Sequence, residues 1–430
     1  RIAARAGARY RWIVSREPSF HVIGVSHHTA GVEVREHFTL TPAEADAWLA
    51  AERLAGRSAV LLSTCNRCEV YWSGDHDLGQ WFQDFARARG AERHQAVTRL
   101  DGAAAVRHLY AVAAGLDSQI LGEREILGQV RRAYQAAQAA GTTDHLLDAV
   151  FVGALNAGRR VRRETMLGRH PASVSSAAVD VATSVTGGLT GRRALILGAG
   201  SVAEGILQAL RQHRVAGVAV VNRHRARAET LAASWGAVSA AWSDLEALLA
   251  ATDVLFVSTS STRPLIGADM LAEAVAAAPA RRLTVLDLSV PRNVEPSARA
   301  VPGVRLYDLD DLQQLRCPAS GFATPAIVDA ERLLQLEIER LLRALEAREA
   351  APRLAELHRA AARLAEEESE RALGELGDLS ERERRVVRAM AERLVRRVLY
   401  PVSRALRDER ATEPRRDPET ARSTDTSVRV

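Results

Sequence analysis

The chain has 430 residues, 47% hydrophobic and 26% charged, with a formal net charge of +5; that length suits about three domains of roughly 150 residues and excludes a small disulfide-stapled module. No run of roughly 18 apolar residues offers a bilayer span, which argues against a transmembrane protein. All 58 residues counted as Lys+Arg are arginine, so every chemistry that needs a lysine amine is excluded, from Schiff bases to the phosphate-loop lysine.

Residues 1–18 hold Arg1, Arg5, Arg9, Arg11 and Arg16 against Glu17, and the remainder of the chain is close to neutral. The overall charge is therefore no argument for nucleic-acid binding. This basic extension reads as a disordered arm, with a targeting segment as the alternative. From Phe20, FHVIGVSH alternates as a strand, TPAEADAWLAAERLA reads as a helix capped by Thr41, SAVLLST as a second strand and Glu69 to Trp72 as a third, an α/β opening. Residues 101–165 are largely helical, interrupted by an irregular DSQILGERE turn. After GRHPAS comes the helix VSSAAVDVATSV, and the glycines of TGGLTGRR mark a boundary. From Arg193, short apolar strands alternate with helices in RALILGAG, VAVVNR, DVLFVSTS and LTVLDLSV, the signature of a doubly wound parallel sheet. That block closes near VRLYDLDDLQ, and CPASGFATPA reads as a linker.

Beyond it the chain is all-helical. Ile327, Ala330, Leu334, Ile338, Leu341 and Leu345 share one face of a helix expected over 326–351, which Pro352 should end or kink. Ser380 and Glu383 form a capping box for a second helix with Val387, Met390, Leu394 and Val398 in one stripe. Residues 326–406 contain 16 arginines and 16 acidic residues, a self-neutralising surface suited to helix pairing. From about Arg407 the chain is polar and reads as disordered.

The string LILGAGSVAEGIL sets Gly198, Gly200 and Ala203 in a GxGxxA loop directly after a strand and at the start of a helix, with Ala199, Ser201 and Val202 completing it. The first glycine allows the tight turn, the second lets the backbone approach a pyrophosphate, and Ala203 is small enough for close helix packing. At the end of the next strand, where an acidic residue would favour NAD, stand Asn222, Arg223, His224 and Arg225; arginine there favours NADP. A Rossmann-type domain that has lost its nucleotide is the alternative.

Three cysteines, Cys65, Cys68 and Cys317, form no disulfide framework and suit a reducing cytoplasm. Cys65 and Cys68 make a CxxC in STCNRCEVY. A zinc site lacks the further ligands, since no second CxxC or HxxxH exists, so no metal is expected. A thioredoxin-like pair should open a helix, whereas a strand follows here. The remaining readings are a nucleophilic thiol, with the fixed charge of Arg67 favouring the thiolate, and a buried cysteine at a strand end.

These residues together resemble the glutamyl-tRNA reductase family. The resemblance runs in order through VIGVSHHTAGVEVRE, STCNRCEVY, HLYAVAAGLDSQILGEREILGQVRRAY, SVSSAAVDVA, LILGAGSVAEG and LDLSVPRNVEP. It implies an NADPH-dependent reduction of glutamyl-tRNA(Glu) to glutamate-1-semialdehyde through a thioester on Cys65, opening the five-carbon route to tetrapyrroles. It further implies that Thr64, Cys65, Asn66 and Arg67 line the glutamate pocket, with the planar fork of Arg67 taking a carboxylate, and that Ser118, Glu123, Arg124, Glu125 and Gln129 are further substrate contacts. His108 matches a histidine that orients the substrate or moves a proton; without the family it reads as a core histidine. The implied division is a basic extension over 1–18, a catalytic α/β domain over 19–165, a Rossmann-type NADPH domain over 166–318, a helical dimerisation domain over 319–406 and a tail over 407–430. A cytoplasmic homodimer, and a complex with glutamate-1-semialdehyde aminomutase that would receive the labile aldehyde, complete the expectation. Two positions depart from the family pattern: Glu123-Arg124-Glu125 stands where many members have Glu-Pro-Gln, and Tyr400 precedes Pro401 where a histidine is common. A shikimate-type dehydrogenase, which shares the parallel-sheet pattern, and a non-enzymatic helical scaffold are the competing readings; the first typically relies on a catalytic lysine.

Overall fold

The computed structural model describes residues 19–90, 96–168, 173–315, 323–377 and 379–408. The expectations for the basic extension over 1–18, for most of the tail and for Cys317 lie outside the described residues.

Strand β1 (Phe20–Ser26) leads through a one-turn helix α1 (Val32–Arg35) to helix α2 (Pro42–Leu54). The start of α2 is fixed by its cap: Thr41 Oγ1 accepts the Glu44 backbone N–H at 3.3 Å, and the Glu44 carboxylate accepts the Thr41 N–H at 2.7 Å. Strands β2 (Ala59–Ser63) and β3 (Arg67–Ser73) follow, then helix α3 (Gly79–Ala88), strand β4 (Thr98–Asp101), and helices α4 (Gly102–Ala114), α5 (Glu125–Ala140) and α6 (His145–Glu164). The four strands pair antiparallel in the order β2-β3-β1-β4. Helices α4 and α6 cross closely at Gly158, where a Cβ would come within 2.6 Å of the Ala113 carbonyl oxygen.

Helix α7 (Val174–Thr186) precedes a second sheet of strands β5 (Arg193–Leu197), β6 (Gly217–Val221), β7 (Val238–Ala240), β8 (Val254–Val257), β9 (Leu283–Asp287) and β10 (Val304–Tyr307), with helices α8 (Ser201–Leu210), α9 (Arg225–Trp235), α10 (Leu245–Ala250) and α11 (Ala268–Ala276) between them and α12 (Leu309–Leu315) after them. All pairs are parallel, in the order β10-β9-β8-β5-β6-β7. The strand order reverses between β5 and β8, which is where a doubly wound sheet opens a crevice for its ligand. Helices cover both faces, since one core joins Ile196, Phe256 and Leu286 to α7 and α8, and another joins Leu195, Leu255 and Val285 to α10 and α11. Strands β4 and β7 were not read from the sequence: they are only four and three residues long and largely exposed, so they carry little alternation.

Helix α13 (Ala323–Glu375) runs 53 residues, and α14 (Glu381–Asp408) follows. The expected helix end at Pro352 is corrected: α13 continues through it. The proline deprives the Arg348 carbonyl of its helical partner, but Arg348 is exposed, so water can take that bond, and the flanking sequence consists of good helix formers. The chain divides into two units after Ile338. In the first unit Ala330, Leu334 and Ile338 are buried, as their shared face predicts. In the second, Leu373 and Leu399 are buried, the Ser380 and Glu383 capping box is formed, and Met390, Leu394 and Val398 stay exposed.

Candidate active site

Thr64, Cys65 and Asn66 connect β2 to β3. Thr64 shapes the turn: its Oγ1 accepts the backbone N–H groups of Asn66 and Arg67 at 3.2 Å each, and its own N–H donates to the Arg67 carbonyl at 2.8 Å. The His27 N–H, just past β1, donates to the Asn66 carbonyl at 2.9 Å. Cys65 at the loop crest is partly open to solvent and packs against the core that contains Ile120 and Leu286. Its apolar surroundings push the thiol up to about 12, Glu123 and Glu125 act in the same direction, and the opposing cation is Arg35.

The expectation that Arg67 favours a Cys65 thiolate is corrected by the pleat of β3. Alternation along the strand puts Arg67, Glu69 and Tyr71 on one face, beneath α4 and α6. There Arg67 Nη1 donates to Glu69 Oε1 at 2.8 Å and Asp117 Oδ2 at 3.0 Å, while Nη2 donates to the Asp117 carbonyl. Its fork is therefore filled from within, which corrects the bidentate reading; the Nε is buried without a partner. Tyr71 OH donates to Glu69 Oε2 at 2.5 Å, and His108 Nε2 on α4 lies 2.9 Å from Glu69 Oε1. Burial alone would raise the Glu69 carboxyl, but Arg67 and His108 outweigh it and hold it at about 2. Burial would likewise lower His108, but the charge and hydrogen bond of Glu69 prevail and raise it. Asp117 Oδ1 also accepts from the His28 ring at 2.9 Å, and burial of its carboxylate is overcome by His28 and Arg67, which hold it well below the usual range. A cleft of about 250 Å³ opens on this network, lined in part by His28, Glu69, His108 and Asp117.

Five polar atoms around the loop are buried without partners: both ring nitrogens of His27, Asn66 Oδ1, Arg67 Nε and Ser118 Oγ. Each such group costs free energy, and the orphans of Asn66 and of His27, whose backbone pairs with Asn66, mark the loop as a place open to a polar ligand. His27 is held neutral, lowered to about 4 by burial first and by His28 and Arg67 after it. Glu123 is buried, and burial followed by Glu125 pushes its carboxyl up to about 7. Glu125 opens α5, with Gln129 one turn further along, both half-buried, whereas the Arg124 side chain is exposed. Cys68, on the other face of β3, is buried and free, its thiol pushed up to about 12 by burial.

The dinucleotide loop leaves β5 at Gly198, whose φ of 122° and whose hypothetical Cβ, 2.2 Å from the Ser258 carbonyl oxygen, admit only glycine. Gly200 caps α8 with open space where a Cβ would stand, and Ala203 is fully buried. Ser258 Oγ, beside Gly198, is buried without a partner. Open backbone, a helix N-terminus and an orphaned hydroxyl at the switch point fit a dinucleotide pyrophosphate. Asn222, half-buried, donates to the His224 carbonyl at 3.0 Å, and Arg223 is exposed beside it.

The two sheets are joined by side chains that the sequence reading missed. Arg292 pairs with Glu36 in a bidentate bridge of 3.0 and 2.7 Å, Arg35 pairs with Asp310 at 2.9 Å, and Gln119 donates to the Leu309 carbonyl at 2.7 Å. Glu69 and Tyr71 could have been found by extending the strand alternation from Arg67, but no local pattern announces Arg35, Asp117 or Asp310.

Known proteins match in the same order. The family model described as the glutamyl-tRNAGlu reductase N-terminal domain matches residues 23–165, that of shikimate / quinate 5-dehydrogenase matches 180–315, and that of the glutamyl-tRNAGlu reductase dimerisation domain matches 329–425. A glutamyl-tRNA reductase from Desulforudis audaxviator is 37% identical over 392 residues, covering 89% of this chain and 88% of its own. One from Deinococcus radiodurans is 44% identical over 296 residues, covering 68% of this chain and 83% of its own. The solved glutamyl-tRNA reductase from Methanopyrus kandleri aligns with 92% of this chain and 100% of its own at 29% identity and a TM-score of 0.42.

Proposed function

The chain belongs to the glutamyl-tRNA reductase family, and from that premise we propose that Cys65 is the nucleophile through which it works. The family's reaction is the NADPH-dependent reduction of glutamyl-tRNA to glutamate-1-semialdehyde, the first step of tetrapyrrole synthesis. The observation that carries the assignment to Cys65 is its place at the crest of a loop whose neighbour Asn66, and the His27 that pairs with the Asn66 backbone, hold orphaned buried polar atoms.

The Cys65 sulfur attacks the ester carbonyl carbon, an S–C bond forms, and the C–O bond to the terminal ribose breaks, so the tRNA leaves with its hydroxyl restored. A thioester carbonyl is less resonance-stabilised than an oxygen ester and accepts a hydride more readily; covalent capture splits one hard step into two easier ones. Gly198 to Ala203 would hold NADPH, with Arg223 available to its 2′-phosphate, and the cofactor would supply that hydride. Collapse of the resulting hemithioacetal returns the cysteine and frees the aldehyde. Thr64 holds the nucleophile loop in shape, and Arg67 offers its Nε. His108, oriented by Glu69, which also raises its basicity, is placed to orient the bound glutamyl group or to move a proton. Glu123, pushed up to about 7, is suited to take the thiol proton.

We propose the domain limits 19–165, 166–318 and 319–406, supported by the break in architecture at α7 and by the helical run after α12. The exposed Met390, Leu394 and Val398 row, within the segment that matches the dimerisation domain, supports a homodimer through α14. The reactivity of an amino aldehyde supports direct handover to the aminomutase. Among the described residues no helix is long and apolar enough to cross a membrane; a cytoplasmic location is supported by the cysteine usage.

Formation of glutamate-1-semialdehyde from charged tRNA, NADPH and the full chain, with free glutamate as control and Cys65→Ser alongside, tests the reading. Product from the charged tRNA alone and only with Cys65 is expected. Turnover that survives Cys65→Ser would end the thioester route.

A further inference from the structure

We propose that Arg35 is a positioning residue for Cys65, and that Asp310, contributed by the cofactor-binding block, governs how much of the Arg35 charge the sulfur feels. The inference rests on the reading of Cys65 as the nucleophile.

Arg35 is 3% exposed. Its guanidinium is shared among three segments: Nη1 donates to the Ala30 carbonyl at 2.8 Å, Nε makes a long contact of 3.4 Å to the Cys65 carbonyl, and Nη2 donates to Asp310 Oδ1 at 2.9 Å. The first bond fixes the side chain to its own loop, the second reaches the backbone carbonyl of the nucleophile residue, and the third crosses to α12. Asp310 is itself held, since its other oxygen accepts the Val32 N–H at 2.6 Å and Gln119 Nε2 lies 3.2 Å from Oδ1.

A guanidinium in a protein does not release its proton, so a buried one needs a negative partner. Two candidates compete here: the Asp310 carboxylate and a thiolate at Cys65. The other charges acting on the sulfur are Glu123, just before α5, and Glu125 at its start, both negative. Paired with Asp310, Arg35 shares its charge and favours a thiolate less; released from it, Arg35 favours one more. Docking of the cofactor block and ionisation of Cys65 are therefore linked, and the linkage is reciprocal. Its direction follows the chemistry. Attack on the ester requires the thiolate, which undocking favours. The thioester that results is neutral and no longer competes for Arg35, so acylation favours the pairing with Asp310 that brings the cofactor block onto the loop, when a hydride is next required.

The test is the pH dependence of iodoacetamide alkylation of Cys65 in the full chain, with adducts at Cys65, Cys68 and Cys317 separated by peptide mass spectrometry. Variants are Asp310→Asn, Arg35→Met and Arg35→Lys, and NADPH titration reports whether each is folded. Asp310→Asn should move the alkylation profile down by about one pH unit, the low end of what a neighbouring charge does. Arg35→Met should move it up, and Arg35→Lys should lie nearer to wild type. A profile unmoved by Asp310→Asn, or moved in the same direction as by Arg35→Met, overturns the proposal, because a merely structural contact would disturb both alike. If the Arg35 variants do not fold, Asp310→Asn decides alone. Opposite shifts combined with glutamyl-tRNA reduction that survives Cys65→Ser would uphold the electrostatic coupling while removing the nucleophile reading.

Discussion

Replacing Glu69 by glutamine removes the charge around which the Arg67, Tyr71 and His108 network is built, at almost unchanged volume. The Glu69 carboxyl is held at about 2, against about 4.3 for a free glutamate, and at roughly 1.4 kcal/mol per pH unit that difference amounts to about 3 kcal/mol. Removal of one partner from a buried ion pair costs about 3–5 kcal/mol, which agrees in size. Because the folded value is depressed, this stabilisation is fully present above about pH 4.3 and is lost as pH falls through about 2. Urea unfolding of wild type and Glu69→Gln should therefore differ by about 3 kcal/mol at pH 7, and the difference should shrink steadily below about pH 4. The same change should lower the His108 titration followed by NMR, because burial then acts without the carboxylate that opposes it. A stability loss below about 1 kcal/mol at pH 7, the size of an ordinary hydrogen bond, together with an unmoved His108, would refute the network as the organiser of the site.

Three further outcomes follow from other parts of the molecule. Glu123→Gln should stabilise the protein at pH 8 but not at pH 4: a carboxyl raised to about 7 by burial and by Glu125 favours the fold only while protonated, and that contribution fades as pH rises from about 4.3 through 7, which thermal melts across that range will show. Arg223→Ala should cut the preference for NADPH over NADH by about tenfold or more, read as the ratio of dissociation constants by nucleotide fluorescence, because the 2′-phosphate loses a charge-assisted contact worth about 1.5 kcal/mol or more. Met390→Glu places a charge in the exposed α14 row and should shift sedimentation from dimer toward monomer while leaving NADPH binding intact; an unchanged dimer would remove α14 from the interface.

Much of this protein is written in its local sequence. The GxGxxA loop, the strand and helix alternation after Arg193 and the capping boxes at Thr41 and Ser380 are short-range patterns whose physics is complete within a few residues, and the structure reproduces them. So is the STCNRCEVY turn, because Thr64 makes its own hydrogen bonds. The partnerships of charge are different. Arg67 sits two residues from Cys65 in sequence, yet the pleat of β3 turns it toward Asp117, 50 residues away. The cation that acts on the thiol comes from Arg35, and the counter-charge of Arg35 from Asp310, 275 residues further on. Helix α13 passes through Pro352 although the local rule predicts an end there. Short β4 and β7 are strands because neighbours supply their hydrogen bonds, their own residues having no buried face to alternate. Sequence alone determined the nucleotide-binding loop and most of the elements that carry the site, since propensity, capping and loop geometry are local, while the reaction was implied by the family resemblance. Tertiary structure decided which charges meet, since burial and pairing depend on segments that only the packed chain brings together.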